Sequence, residues 1–150
     1  MSQRAEEAKR LFLEGYNCSQ SVAAAYADAF GIEKETMLRL SASFGGGIGR
    51  MRKTCGAACG MFLIAGLKTG STDGKDQEAK GKNYAVVRQM ADAFRKENGS
   101  ITCQTLLGLR RAEASAMPSE RTADYYASRP CLKMVEDACR IIEEFFPDLA

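Results

Sequence analysis

Six cysteines and no histidine set the terms for any chemistry this 150-residue chain can perform. Without imidazole there is no Ser-His-Asp or Cys-His nucleophile, no histidine-held zinc and no histidine-ligated haem. The reactive group must be a thiolate, supported by carboxylates or main-chain N–H groups. Four cysteines have the placement for it. Cys18 follows Asn17, Cys55 follows Thr54, Cys103 follows Thr102, and Cys131 follows Pro130, with Ser128 as a candidate cap. Asn, Thr and Ser are helix N-caps and Pro is a first-turn residue, so each cysteine falls in the first turn of an expected helix. There, free N–H groups and the positive end of the helix dipole lower a thiol's pKa. Cys59, one turn after Cys55, reads either as core or as part of the site. Cys139, in the middle of an apolar stripe, reads as a small buried hydrophobe.

The elements that must carry these residues are all helical. Ala5, Ala8, Leu11 and Phe12 form one apolar stripe ending at Gly15. Asn17 caps a second helix, with Gln20 completing a capping-box pattern and Gly31 closing it after Phe30. A third helix spans 33–44 and stops at three glycines. Thr54 caps a helix from Cys55 to about Lys68, closed by Gly70. Asp73 or Asp76 opens a long helix to about Asn98, with Tyr84, Val87, Met90, Ala91 and Phe94 on its inner face and Gly99 at its end. Thr102 caps a short helix to Leu107. Residues 110–127 are polar and irregular, with room for one short helix after Pro118. A last helix starts at Pro130 and buries Leu132, Val135, Cys139, Ile142 and Phe146. No alternating strand pattern and no linker interrupts this series. The expectation is an all-α, single-domain bundle of six or seven helices over residues 1–150.

A formal charge of +2 offers no basic footprint for nucleic acid. The charged first ten residues lack the apolar stretch of a signal peptide, and the longest apolar run, 57–67, falls short of the roughly 20 residues of a membrane span. The expected compartment is the cytoplasm, where structural disulfides are disfavoured.

Glycines crowd the segment around Cys55. The loop Gly45-Gly46-Gly47-Ile48-Gly49 precedes Arg50, Arg52 and Lys53, whose charges would stabilise a thiolate at Cys55. Gly56 and Gly60 share a helix face and permit close approach of either a cluster or a second backbone. The loop follows a helix and meets neither the dinucleotide nor the P-loop spacing, so phosphate cradling is disfavoured.

Asn17-Cys18-Ser19-Gln20, Phe44-Gly45-Gly46-Gly47, Cys55-Gly56-Ala57-Ala58-Cys59-Gly60, Ser100-Ile101-Thr102-Cys103 and Pro130-Cys131 resemble the small bacterial C_GCAxxG_C_C proteins, named for their cysteine and CGAxxG pattern. The resemblance runs from about Glu14 to Ile142. It implies a redox-active protein with Cys18, Cys55, Cys103 and Cys131 as the family cysteines, and genomic association with oxidoreductases or transporters, chiefly in anaerobic bacteria. Many relatives carry a further cysteine where this chain has Leu109. Cys59 and Cys139 lie outside the pattern.

Three functions compete. In the first, the four cysteines form a redox cluster in which one thiolate attacks a partner's disulfide and a second cysteine resolves the product. Cys55 is the expected nucleophile. No C-x-x-C is present, so the resolving thiol comes from another helix, most simply Cys18. In the second, the same four thiolates hold an iron–sulfur cluster or zinc, making an electron carrier or a metal-stabilised module. The third is an interaction module with buried cysteines. The redox readings require a partner protein or oxidoreductase, and they require at least three of the four sulfurs to lie close enough to share a disulfide or a metal.

Overall fold

A computed structural model describes residues 1–111 and 113–150. Eight α-helices run through the described residues: α1 (Gln3–Leu13), α2 (Cys18–Ala24), α3 (Lys34–Ser41), α4 (Gly56–Thr69), α5 (Gln77–Asn98), α6 (Cys103–Leu106), α7 (Ala123–Ser128) and α8 (Cys131–Phe145). The fold is all-α, with one or two helices more than expected because α6 and α7 are complete, though short. None of the described helices is long and apolar enough to cross a membrane.

Local chemistry accounts for most boundaries. The Ser2 hydroxyl accepts from Ala5 N–H at 3.0 Å to start α1, and Asp76 does the same for Ala79 at the start of α5. At α2 the full capping box forms: Asn17 Oδ1 accepts from Gln20 N–H at 2.9 Å, and Gln20 Oε1 accepts from Asn17 N–H at 3.1 Å. The expected continuous helix up to Gly31 instead breaks after Ala24, and Ala27–Phe30 is a 3₁₀ turn. Arg4 Nη1 donates to the Ala25 carbonyl at 2.9 Å, diverting an acceptor the helix would have used.

Two expected caps are replaced. Thr54 is not a cap but pairs with Thr102 in an isolated antiparallel bridge, and Cys55 itself occupies the N-cap of α4. Ser128 closes α7 instead of opening α8, whose N-cap is Pro130. The short helix after Pro118 is α7, capped by the Thr122 hydroxyl accepting from Tyr125 N–H at 3.1 Å.

The core lies among α1, α2, α4 and α8, joined by the second half of α5. Phe12, Val22, Tyr26, Met61, Ile64, Phe94, Val135, Ile141 and Ile142 are fully enclosed in one hydrophobic cluster. Only Met90, Ala91 and Phe94 of the expected α5 face are buried; Val87 is half-buried and Tyr84 is 63% exposed.

The crossing of α2 and α4 decides where the cysteines fall. A Cβ on Gly60 would meet the Ser19 carbonyl at 2.9 Å and Val22 Cβ at 3.0 Å; one on Gly56 would meet Phe44 O at 3.0 Å and Cys18 Cβ at 3.3 Å. The two glycines therefore seat one helix backbone against another. Of the two alternatives left open by their spacing, helix packing accounts for both positions.

Candidate functional site

The four cysteine-bearing helix starts are drawn together by three local devices. The first is the capping box at α2, where Asn17 Nδ2 also donates to the Ala42 carbonyl at 2.9 Å and so ties the start of α2 to the end of α3. A Cβ on Gly45 would overlap that Asn17 side chain at 2.3 Å, which explains a glycine there.

The second device is a left-handed turn. Gly46, Gly47, Ile48, Gly49 and Arg50 all have φ between 57° and 72°, and Arg52 follows at 59°. A β-branched residue in this region is strained, at a cost of order ~1–3 kcal/mol, so the surroundings must hold it. They do so through Arg50 Nη1 on the Ser115 carbonyl at 2.9 Å, Arg50 Nη2 on Ser119 Oγ at 3.0 Å, and Lys53 N–H on Gly47 O at 2.8 Å. Gly47 has no room for a side chain, since a Cβ would lie 2.5 Å from that of Cys103.

The third device is the Thr54–Thr102 bridge. Cys55 N–H donates to Ile101 O at 2.6 Å and Cys103 N–H donates to Lys53 O at 2.6 Å, so two cysteines distant in sequence become neighbours. A repeated Thr-Cys dipeptide was the sequence signal for this pairing, but two residues are too few for strand periodicity to register.

Cys18, Cys55, Cys103 and Cys131 all line one small cavity of about 50 Å³, with Tyr125, Arg129 and Met134 among its other walls. All six cysteines are free thiols. The four do not contribute equally. Cys18 and Cys131, each the first residue of its helix, are half-buried. The Cys131 pKa falls to about 7, chiefly because the neighbouring Cys18 thiol favours its thiolate; burial opposes this, and the Arg129, Arg121 and Arg52 charges reinforce it. Cys18, in turn, is held well above its ordinary value by Cys131 and by burial.

The other two thiols are buried. Burial pushes Cys55 up to about 12, although the Ala58 and Ala57 N–H groups favour its thiolate. Burial also raises Cys103, against the pull of Arg52, whose Nη1 donates to Cys103 Sγ at 3.6 Å. Two of the three basic residues ahead of Cys55 are engaged elsewhere. Arg52 turns to Cys103 and Glu113, and Arg50 turns to Ser115 and Ser119.

All four share that one cavity, and among the described residues no group of three or more cysteine, aspartate or glutamate side chains is arranged to hold a metal ion. Gly56 lines the cysteine cavity, whereas Gly60 is absent from its walls.

Cys59 and Cys139 stand apart. The Cys59 thiol donates to the Thr54 carbonyl at 3.8 Å, and burial raises its pKa to about 11. Cys139 is fully enclosed in the core, and burial raises it to about 12. The residues that sequence reasoning missed are Arg121, Tyr125 and Arg129. Arg121 donates to the Phe12 and Tyr16 carbonyls at 2.8 and 2.9 Å and stacks on Phe12 and Tyr125, fastening α7 to the end of α1. Arg129 lies over the Tyr125 ring at 5.1 Å. The only signal for it was a cation two residues before Cys131.

No curated protein and no solved structure matches the chain. One family model does, over residues 16–145, and its span takes in all four cavity-lining cysteines. The chain belongs to the C_GCAxxG_C_C family, described as "Putative redox-active protein".

Proposed function

We propose that residues 1–150 form a single thiol–disulfide redox domain in which Cys131 is the nucleophile and Cys18 the resolving thiol. The observation that carries this reading is that two half-buried cysteines line one cavity with Arg52 and Arg129, where the Cys18 thiol and the arginine charges lower Cys131 to about 7. The Cys131 thiolate attacks one sulfur of a disulfide RS–SR, the S–S bond breaks, and RS⁻ leaves to take a proton from solvent. Cys18 then loses its proton to solvent and attacks the Cys131 sulfur of the mixed disulfide, expelling the second RS⁻. The protein dithiol is oxidised to a Cys18–Cys131 disulfide and RS–SR is reduced to two thiols. A partner oxidoreductase reverses the change to reset the protein.

A nucleophile with a pKa near the ambient pH is close to the optimum for such exchange, because a lower value sacrifices nucleophilicity and a higher one sacrifices thiolate. Cys55 and Cys103 shape the cavity in their neutral form. Redox titration of the reduced protein in dithiothreitol buffers, followed by peptide mapping, tests the assignment. A Cys18–Cys131 disulfide should form first, in a two-electron step. Another pair forming first, or no protein disulfide up to a poise of about −120 mV, would overturn it.

A further inference from the structure

A second cavity, of about 350 Å³, adjoins the cysteine cavity and shares Asn17, Gly46, Arg52, Tyr125 and Arg129 with it as walls. Its volume is within the range of small-ligand sites. Four guanidinium groups line it, those of Arg50, Arg52, Arg121 and Arg129, together with Asn17 and Ser119; its described lining contains no Asp or Glu. Glu113, to one side, pairs with Arg50 at 3.9 Å and Arg52 at 3.4 Å, which leaves a surplus of positive charge.

Two of the arginines have unused capacity. Arg52 is 4% exposed, yet its Nε has no hydrogen-bond partner among the described residues. A buried donor left in that state has lost its water without gaining a partner, so an acceptor from outside would be welcome there. Arg129 makes no ion pair or side-chain hydrogen bond among the described residues and is held only by stacking on Tyr125. A planar guanidinium fixed in this way is pre-arranged for two-point contact with a carboxylate.

We infer that this arginine-lined cavity binds the carboxylates of a small anionic disulfide and so selects the compound that Cys18 and Cys131 reduce. The inference rests on the thiol–disulfide reading above. A free phosphate would satisfy the charge but offers no sulfur to the neighbouring cavity, whereas a carboxylate-bearing disulfide suits both at once. A thiolate by itself repels an anion, so any preference for anionic disulfides must come from the arginines.

The test compares second-order rate constants for oxidation of the reduced protein by dithiodipropionate (anionic), hydroxyethyl disulfide (neutral) and cystamine (cationic). The wild-type protein should react with the anionic compound about tenfold faster than with the neutral one, and slowest with cystamine. The anionic-to-neutral ratio should fall towards one in Arg129→Gln and be restored in Arg129→Lys. A second arm uses calorimetry of thiodipropionate, a thioether that cannot exchange, on Cys131→Ser protein, with binding weakened by Arg129→Gln. A wild-type ratio at or below one, or a ratio unchanged in Arg129→Gln, overturns the anion site. If thiodipropionate binds while no disulfide of any charge oxidises the pair, the anion site stands and the thiol–disulfide reading falls.

Discussion

Cys18 and Cys131 line the same cavity as Cys55 and Cys103, and all four sit at or beside the start of a helix. The first pair is half-buried, and three arginine charges act on Cys131; the second is buried and joined through a backbone bridge. Only in the first pair does a thiol drop below its ordinary 9.0. Position at a helix start is thus insufficient. Desolvation outweighs the N–H groups at Cys55, whereas a thiol donor and nearby full charges outweigh it at Cys131.

The sharpest way to break this contrast is to delete one thiol at a time. Cys18→Ala or Cys131→Ser should abolish the two-electron couple entirely in a dithiothreitol titration. Cys18→Ala should also move Cys131 back towards 9.0, because it removes the largest cause of the depression. Cys55→Ser should keep the couple and lose some stability, since it places a polar hydroxyl in a buried site. A couple that survived Cys131→Ser and vanished in Cys55→Ser would exchange the roles of the two pairs.

A smaller effect is expected from the charges. Arg129 is the leading cation acting on Cys131, so Arg129→Gln should slow alkylation of Cys131 about threefold to tenfold near pH 7. The difference should vanish above pH 9.0, where the thiol ionises with or without help. Equal rates at both pH values would remove the arginines from the account.

The smallest effect belongs to Cys139, the buried thiol outside the cavity. Cys139→Ala should cost about 1 kcal/mol near neutral pH and leave the couple alone. Its folded pKa is about 12, above the ordinary 9.0, so the wild-type thiol stabilises the fold fully below 9.0 and less as pH rises towards 12. The penalty for Cys139→Ala, measured by urea unfolding, should therefore shrink above pH 9. A penalty constant with pH would contradict burial of a neutral thiol.

The helices and the four cysteines were legible because capping residues, glycine stops and apolar spacing are local signals. Asn17 with Gln20, Asp76 with Gly99, and the buried stripe of α1 all act within a turn or two of chain. The partners of the basic residues were not legible. Local reasoning gave Arg50 and Arg52 to Cys55 because they precede it, but a left-handed turn sends both side chains elsewhere. Arg121 comes from a segment that reads as polar and irregular and Arg129 from just beyond it, both stacked on Tyr125 in a way that no spacing rule reveals. The Gly60 contact with Ser19 likewise depends on how α2 crosses α4. Tertiary packing, not helix formation, distinguishes four similar cysteines.

The central claim is that Cys131 alone among the six is a thiolate near neutral pH. Reduced protein treated with substoichiometric iodoacetamide from about pH 5 to about pH 10, with the labelled residue read by peptide mass spectrometry, measures this directly. Cys131 should label first, with a rate that rises through a midpoint near pH 7. Labelling of Cys55 ahead of Cys131, or a Cys131 midpoint at the ordinary 9.0, would contradict it.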